Sequence, residues 1–138
     1  MQFAQLCDLV EPPLPAGAAI DAEALPGNWI NSNPDTNGIA RLIVSKTGET
    51  LSMQAFAIGP EGLVDWGTAP MKVFAASASS LTGAGFSCVF DFGFAESRLQ
   101  GMMMKGLMVL TQCHSFKDDS KRAAYFVREY FALEHGRF

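Results

Sequence analysis

"LPGNWINSNPDTNGIARLIVS", from Leu25 to Ser45, is the stretch where an irregular lead-in gives way to regular alternation. Just upstream, residues 11–26 hold four prolines and read as an extended arm. Proline removes a backbone donor and restricts the residue before it. From Gly27 the character changes. Asn28 to Ser32 forms a first short strand, and "NPDTNG" follows as a polar turn in which Pro34 and Asn37-Gly38 suit the required backbone angles. "GIARLIVSK" (38–46) then sets Ile39, Arg41, Ile43 and Ser45 on one face and Ala40, Leu42 and Val44 on the other. Both faces are largely apolar, as in a strand with a filled interior and a partly covered exterior.

The same rhythm continues outward. Thr47-Gly48 and "GPEG" (59–62) turn the chain on either side of "TLSMQAFAI" (50–58). "LVDWGTAP" (63–70) is less regular and reads as a loop leading into "MKVFAAS" (71–77). After "SSLTGAG", the segment "FSCVFDFGF" (86–94) places Phe86, Cys88, Phe90, Phe92 and Phe94 at period two, the clearest strand signal in the chain. Turns at Ala95-Glu96 and Lys105-Gly106 separate it from "SRLQGMMMK" (97–105) and "LMVLTQCHSF" (107–116). "KDDSKR" precedes the last segment, "AAYFVREYFAL" (123–133). That segment also carries a helical stripe, Ala123, Phe126, Val127, Tyr130 and Phe131, but its Tyr, Phe and Val content favours a strand. The expectation is an all-β domain over 27–138, a single eight-stranded antiparallel up-and-down barrel, preceded by an N-terminal arm over 1–26. Closure of such a barrel removes exposed strand edges.

Bulk properties narrow the class. A chain of 138 residues fits one domain, and 49% apolar against 17% charged residues marks a folded protein. Eleven Phe and seven Met against two Tyr point to a greasy interior or an apolar pocket. The net charge of −4, with cations scattered, argues against nucleic acid. Cys7, Cys88 and Cys113 form no paired motif and leave one thiol over in any disulfide scheme, the usage of a reducing compartment. With no signal-peptide pattern and no bilayer-length apolar run, the expectation is a cytoplasmic protein that does not engage a membrane.

The "GNW" of Gly27-Asn28-Trp29, opening the first strand after an irregular arm, resembles the Gly-x-Trp signature of the calycin superfamily, the lipocalins and avidins. The resemblance implies an eight-stranded barrel whose tryptophan packs across the closed end. Trp29 would then be the barrel floor, with Arg128 or Arg137 as its cationic partner through cation–π attraction. The Thr-Asp-Tyr-type lipocalin turn is absent, and no avidin ligand residue is carried over.

Few side chains offer chemistry. His114 is a candidate general base, because an imidazole titrates near neutrality. Cys113 beside it points to the opposite face of a strand, so the two do not act together. Two histidines without ligand spacing give no metal site, and the absence of phosphate-binding loops and a nucleophile elbow gives no cofactor. The structural alternative for His114 is a wall residue hydrogen-bonded to a neighbour. Asp91 faces outward if the phenylalanines fill the barrel, and Asp118-Asp119 suit a turn-capping role. Arg128 and Glu129 face opposite ways, so one of them at most enters the interior. Trp66, in the expected loop, either covers a cavity mouth or anchors packing, and the methionines 102–104 and 108 line a pocket or fill gaps.

Three functions follow. The first is a lipocalin-like barrel binding a small apolar molecule in its interior through Trp66, Phe90, Phe92, Met103, His114 and Tyr125. The second is a barrel enzyme, an isomerase or cyclase acting on an apolar metabolite, with His114, Tyr125 or Glu129 moving a proton. The third is an interaction module without a ligand, including a homodimer.

Overall fold

The computed structural model describes residues 19–135. Eight strands follow in chain order: β1 (Gly27–Asn31), β2 (Ile39–Thr47), β3 (Thr50–Gly59), β4 (Gly62–Ala75), β5 (Gly83–Asp91), β6 (Ala95–Met104), β7 (Leu107–Phe116) and β8 (Tyr125–Leu133). Each pairs antiparallel with the next, and β8 returns to β1, so the sheet is a closed up-and-down barrel. Closure runs through Trp29 opposite Leu133, Ile30 opposite Ala132 and Asn31 opposite Phe131. The last segment is a strand, as its composition suggests.

Alternation decides what fills the barrel. Leu42 and Val44 of β2, Leu51, Met53 and Ala55 of β3, Phe86, Cys88 and Phe90 of β5, Leu99 of β6, Met108 and Leu110 of β7 and Phe131 of β8 form one buried cluster. Trp29 belongs to it and is 1% exposed. Burial raises the Cys88 thiol to about 11, whereas Cys113 lies exposed one strand residue from His114. The shortest links are two-residue turns, which fix register because a one-residue slip would reverse every side chain.

Three sequence expectations are corrected. Residues 63–70 are not a loop: β4 runs unbroken from Gly62 to Ala75. The irregularity is a bulge. Gln54 pairs with Thr68 and Phe56 with Asp65, so Trp66 and Gly67 together oppose Ala55. The extra residue re-aims Trp66, as bulges do. Second, the hairpin after β5 turns at Phe92-Gly93-Phe94 and not at Ala95-Glu96, because Asp91 Oδ1 accepts the Gly93 N–H at 2.9 Å and Asp91 pairs with Glu96. The five-residue period-two face therefore ends at Phe90; Phe92 is half-buried and Phe94 exposed. Third, a register shift between Ile39 and Arg41 puts Ile39 on the same inner face as Leu42 and Val44. Asp91 does face outward, with its carboxylate on Lys117 Nζ at 2.6 Å.

The closed end is sealed by the segment before β1. Leu25 is buried, and its carbonyl accepts the Trp29 Nε1–H at 2.8 Å. Asp21 is tied to the start of β5 by its N–H to Leu81 O and by Gly83 N–H to its own carbonyl. Gly27 has φ +140°, and a Cβ there would meet Leu133 Cδ1 at 2.7 Å. This is the physical content of Gly-x-Trp here: the glycine bends the chain into β1 against the last strand, and the tryptophan two residues on plugs the end. Arg128 is not its partner. It sits on the outer face of β8 and is exposed, its parity opposite to that of Phe131. The Trp29 indole is satisfied instead by the Leu25 carbonyl. Arg137 and the arm up to residue 18 lie outside the described residues.

Phe86 packs its ring over Gly101, its cross-strand partner, and a Cβ at Gly101 would collide with that ring. The Gly101→Ala variant is expected to lose about 1–3 kcal/mol, the usual cost of overpacking a filled core. Urea unfolding with an unchanged m-value measures it.

Candidate functional site

Core side chains fill the middle of the barrel, and the space walled by aromatic side chains is at the end where the 32–38, 60–61, 92–94 and 117–124 connections lie. A recess of about 350 Å³ there is lined by residues of β4, β6, β7 and β8 and of the β5–β6 turn, among them Trp66, Phe92, Ser97, His114, Phe116 and Tyr125. It opens into a wider vestibule of about 1180 Å³ that shares Trp66, His114 and Tyr125 and adds Thr36, Gln112 and Glu129.

Local chemistry sets each wall. The β4 bulge is held by Asp65 Oδ1, which accepts the Gly67 N–H at 2.7 Å, and by Asp65 Oδ2, which accepts from Gln54. Trp66 consequently stands edge-on to Phe90 (centroids 5.5 Å), Phe92 (5.0 Å) and His114 (6.3 Å). Edge-to-face contacts of this kind match the positive ring edge to the negative face. Tyr125, at the start of β8, stacks on His114 at 4.7 Å. The Arg122 guanidinium lies 3.9 Å over the Phe116 ring, and Asp118 holds it through Nη2 at 3.1 Å.

Beneath the aromatic ring of side chains runs a polar chain. Ser97 Oγ and His114 Nδ1 are 2.7 Å apart, and His114 Nε2 lies 3.0 Å from Gln112 Oε1. Gln112 Nε2 donates to Glu129 Oε1 at 3.1 Å. The other carboxylate oxygen accepts from Asn31 Nδ2 at 2.8 Å and Thr36 Oγ1 at 2.7 Å. Asn31 Nδ2 also donates to Ile39 O, and its Oδ1 accepts the Asn33 N–H. Each buried polar atom thus has a partner, as burial demands. Burial lowers the His114 pKa below its ordinary 6.5, and the Glu129 charge opposes that shift without cancelling it. The imidazole is neutral at pH 7.

Of the binding residues expected from sequence, Trp66, Phe90, Phe92, His114 and Tyr125 come together at this end. Phe90 lies below Trp66 as part of the packed core. Met103 does not join them: it lies with Leu25 and Gly85 at the closed end. Among the catalytic candidates, His114, Tyr125 and Glu129 share the inner face of the open end, but both imidazole nitrogens are engaged by protein groups. Asn31, Thr36, Ser97 and Gln112 were not singled out by sequence reasoning. Gln112 had a legible signal, since it shares parity with Leu110 and His114 on an inward face; Asn31 had one too, two residues from Trp29. Among the described residues no cluster of three metal-ligating side chains forms, and no helix is long and apolar enough to cross a membrane.

Comparison of the chain with protein-family models, with curated proteins and with solved structures finds no match.

Because the folded-state pKa of His114 is lowered, the unfolded chain takes up that proton first as pH falls. The contribution is complete above pH 6.5 and is lost as pH drops from there through the lower folded value. His114→Gln is expected to flatten the pH dependence of stability over that window. Asp91 and Asp118, lowered by hydrogen bonds from Lys117 and Ser120 respectively, lose their contributions only as pH falls below 3.8. Denaturant midpoints measured from pH 4.5 to 7.5 separate the two.

Proposed function

We propose that the chain is a calycin-like binding barrel that holds a small, flat apolar molecule in the open-end recess. One observation carries the reading: aromatic walls from β4, the β5–β6 turn, β7 and β8 converge on about 350 Å³ of space above a packed core. Small-molecule sites are typically concave, mostly apolar and provided with a few fixed polar groups. The ligand therefore sits in the mouth, between Trp66, Phe92, His114 and Tyr125, and not along the barrel axis.

Binding fits this site better than proton transfer. A general base needs a free nitrogen within reach of the substrate proton. His114 offers the recess a ring flanked by Tyr125 and Trp66, with its nitrogens already bonded.

Aromatic probes such as 2-naphthol are expected to bind and to be displaced by one another, measured by isothermal titration calorimetry. Trp66→Ala and Tyr125→Ala are each expected to weaken binding by roughly two- to tenfold, on the scale of one lost aromatic contact of about 0.5–1.5 kcal/mol. Met103→Ala is expected to leave it unchanged. Equal loss in all three would place the site elsewhere.

A second reading, self-association, has its own observation on the outer wall. Phe74, Gly85, Met102, Val109 and Tyr130 are successive cross-strand partners and form one row across β4 to β8. Phe74, Met102 and Tyr130 are each more than 40% exposed. Contiguous exposed apolar surface of this kind marks interaction sites. Sedimentation velocity is expected to show a dimer that Met102→Lys with Tyr130→Lys converts to monomer; a wild-type monomer at all concentrations would end this reading.

A further inference from the structure

We propose that Ser97 Oγ is a dedicated hydrogen-bond acceptor in the recess, so that the barrel selects an aromatic ligand carrying an O–H or N–H donor. This rests on the binding reading above and adds the ligand's polar requirement to it.

The reasoning begins at Glu129. A carboxylate can only accept, and this one accepts from Gln112, Asn31 and Thr36. Gln112 must therefore turn its NH₂ toward Glu129, which leaves its carbonyl oxygen facing His114 Nε2. The opposite amide orientation would set two acceptor oxygens about 3.1 Å apart with no proton between them, at a side chain that is 1% exposed. His114 Nε2 is then the protonated nitrogen. A neutral imidazole has one N–H, so Nδ1 is bare and accepts. Ser97 lies 2.7 Å from it and gives up its only hydroxyl proton there. What Ser97 has left is lone pairs.

Ser97 is 3% exposed overall, yet it lines the recess, and its side chain shares the inward face of β6 with Ala95 and Leu99. Its acceptor character is imposed from a distance by residues on β1, β7 and β8 and in the β1–β2 connection. Of the two carboxylates lining the recess, Asp65 accepts from Gly67 and Gln54 and Glu96 pairs with Arg98 at 2.6 Å, whereas the Ser115 and Tyr125 hydroxyls are free to donate as well as accept, so Ser97 is the hydroxyl held to acceptance. A ligand that brings an acceptor to Ser97 would meet a second acceptor, and a buried mismatch of that kind is unfavourable.

The test is a matched pair with one ring system, 2-naphthol and 2-methoxynaphthalene, which differ in the donor. Calorimetry on the wild-type protein at pH 7.5 is expected to show 2-naphthol binding at least tenfold tighter. Ser97→Ala is expected to bring 2-naphthol down to the level of the ether. Equal wild-type affinities for the pair would overturn the acceptor role and leave the recess as a binding site. Binding by neither would overturn the site and this inference together. Independently of ligand and of any Ser97 variant, ¹⁵N NMR of the His114 ring is expected to show a protonated Nε2 and a bare Nδ1, with His135→Gln used for assignment. A protonated Nδ1 would reverse the chain and overturn the proposal.

Discussion

The pairing of β1 with β8 is the constraint on which everything else hangs. An eight-stranded open sheet has two unpaired edges, and each exposes a row of backbone donors and acceptors. Here Trp29 opposite Leu133 and Asn31 opposite Phe131 join those edges, and the Glu134 N–H extends the seam to Asn28 O. The first strand is only five residues long, so it has little length over which to do this. Gly27 makes it possible: its positive φ and missing Cβ let Leu133 close against it. Trp29 then points inward at one end, and Asn31 points inward toward the other.

The two ends of the barrel are therefore finished by the same short strand with opposite chemistry. At one end an indole, its N–H bonded to Leu25, completes an apolar plug. At the other, the Asn31 amide reaches Glu129 and begins the chain that passes through Gln112 and His114 to Ser97. The carboxylate is bearable at that depth because three neutral donors satisfy it. A chain anchored on a group that can only accept has one direction, and that direction settles the tautomer of the histidine at its far end.

The aromatic wall above depends on a local irregularity. Two residues opposite one at Ala55 turn Trp66 toward Phe90, Phe92 and His114. A regular β4 would have kept strict alternation there, and the recess would lack one side. The same strand supplies Ala69 to the core a few residues later, so the bulge separates a packed lower wall from an upper one that faces the recess.

Strand number and barrel class were legible in the sequence, because alternation and turn chemistry are local; which face of the period-two run Phe86, Cys88, Phe90 lines the interior, and that side chains fill it, were not. Trp29 at the closed end was what the Gly-x-Trp resemblance implied, and Trp66, His114 and Tyr125 stood out by their residue types. The bulge was not, since "LVDWGTAP" breaks alternation and a broken strand looks like a loop until its neighbour's register is known. Arg128 was drawn toward Trp29 by analogy, whereas its parity on β8 sends it outward. The polar chain lay furthest from view. Asn31 and Glu129 are 98 residues apart and meet only because the barrel closes. Sequence by itself determined which residues of a strand share a face wherever alternation is unbroken, a matter of backbone geometry. Only the tertiary structure decided which inward residues meet, because hydrogen bonds across a barrel depend on register and closure, and no single strand contains either.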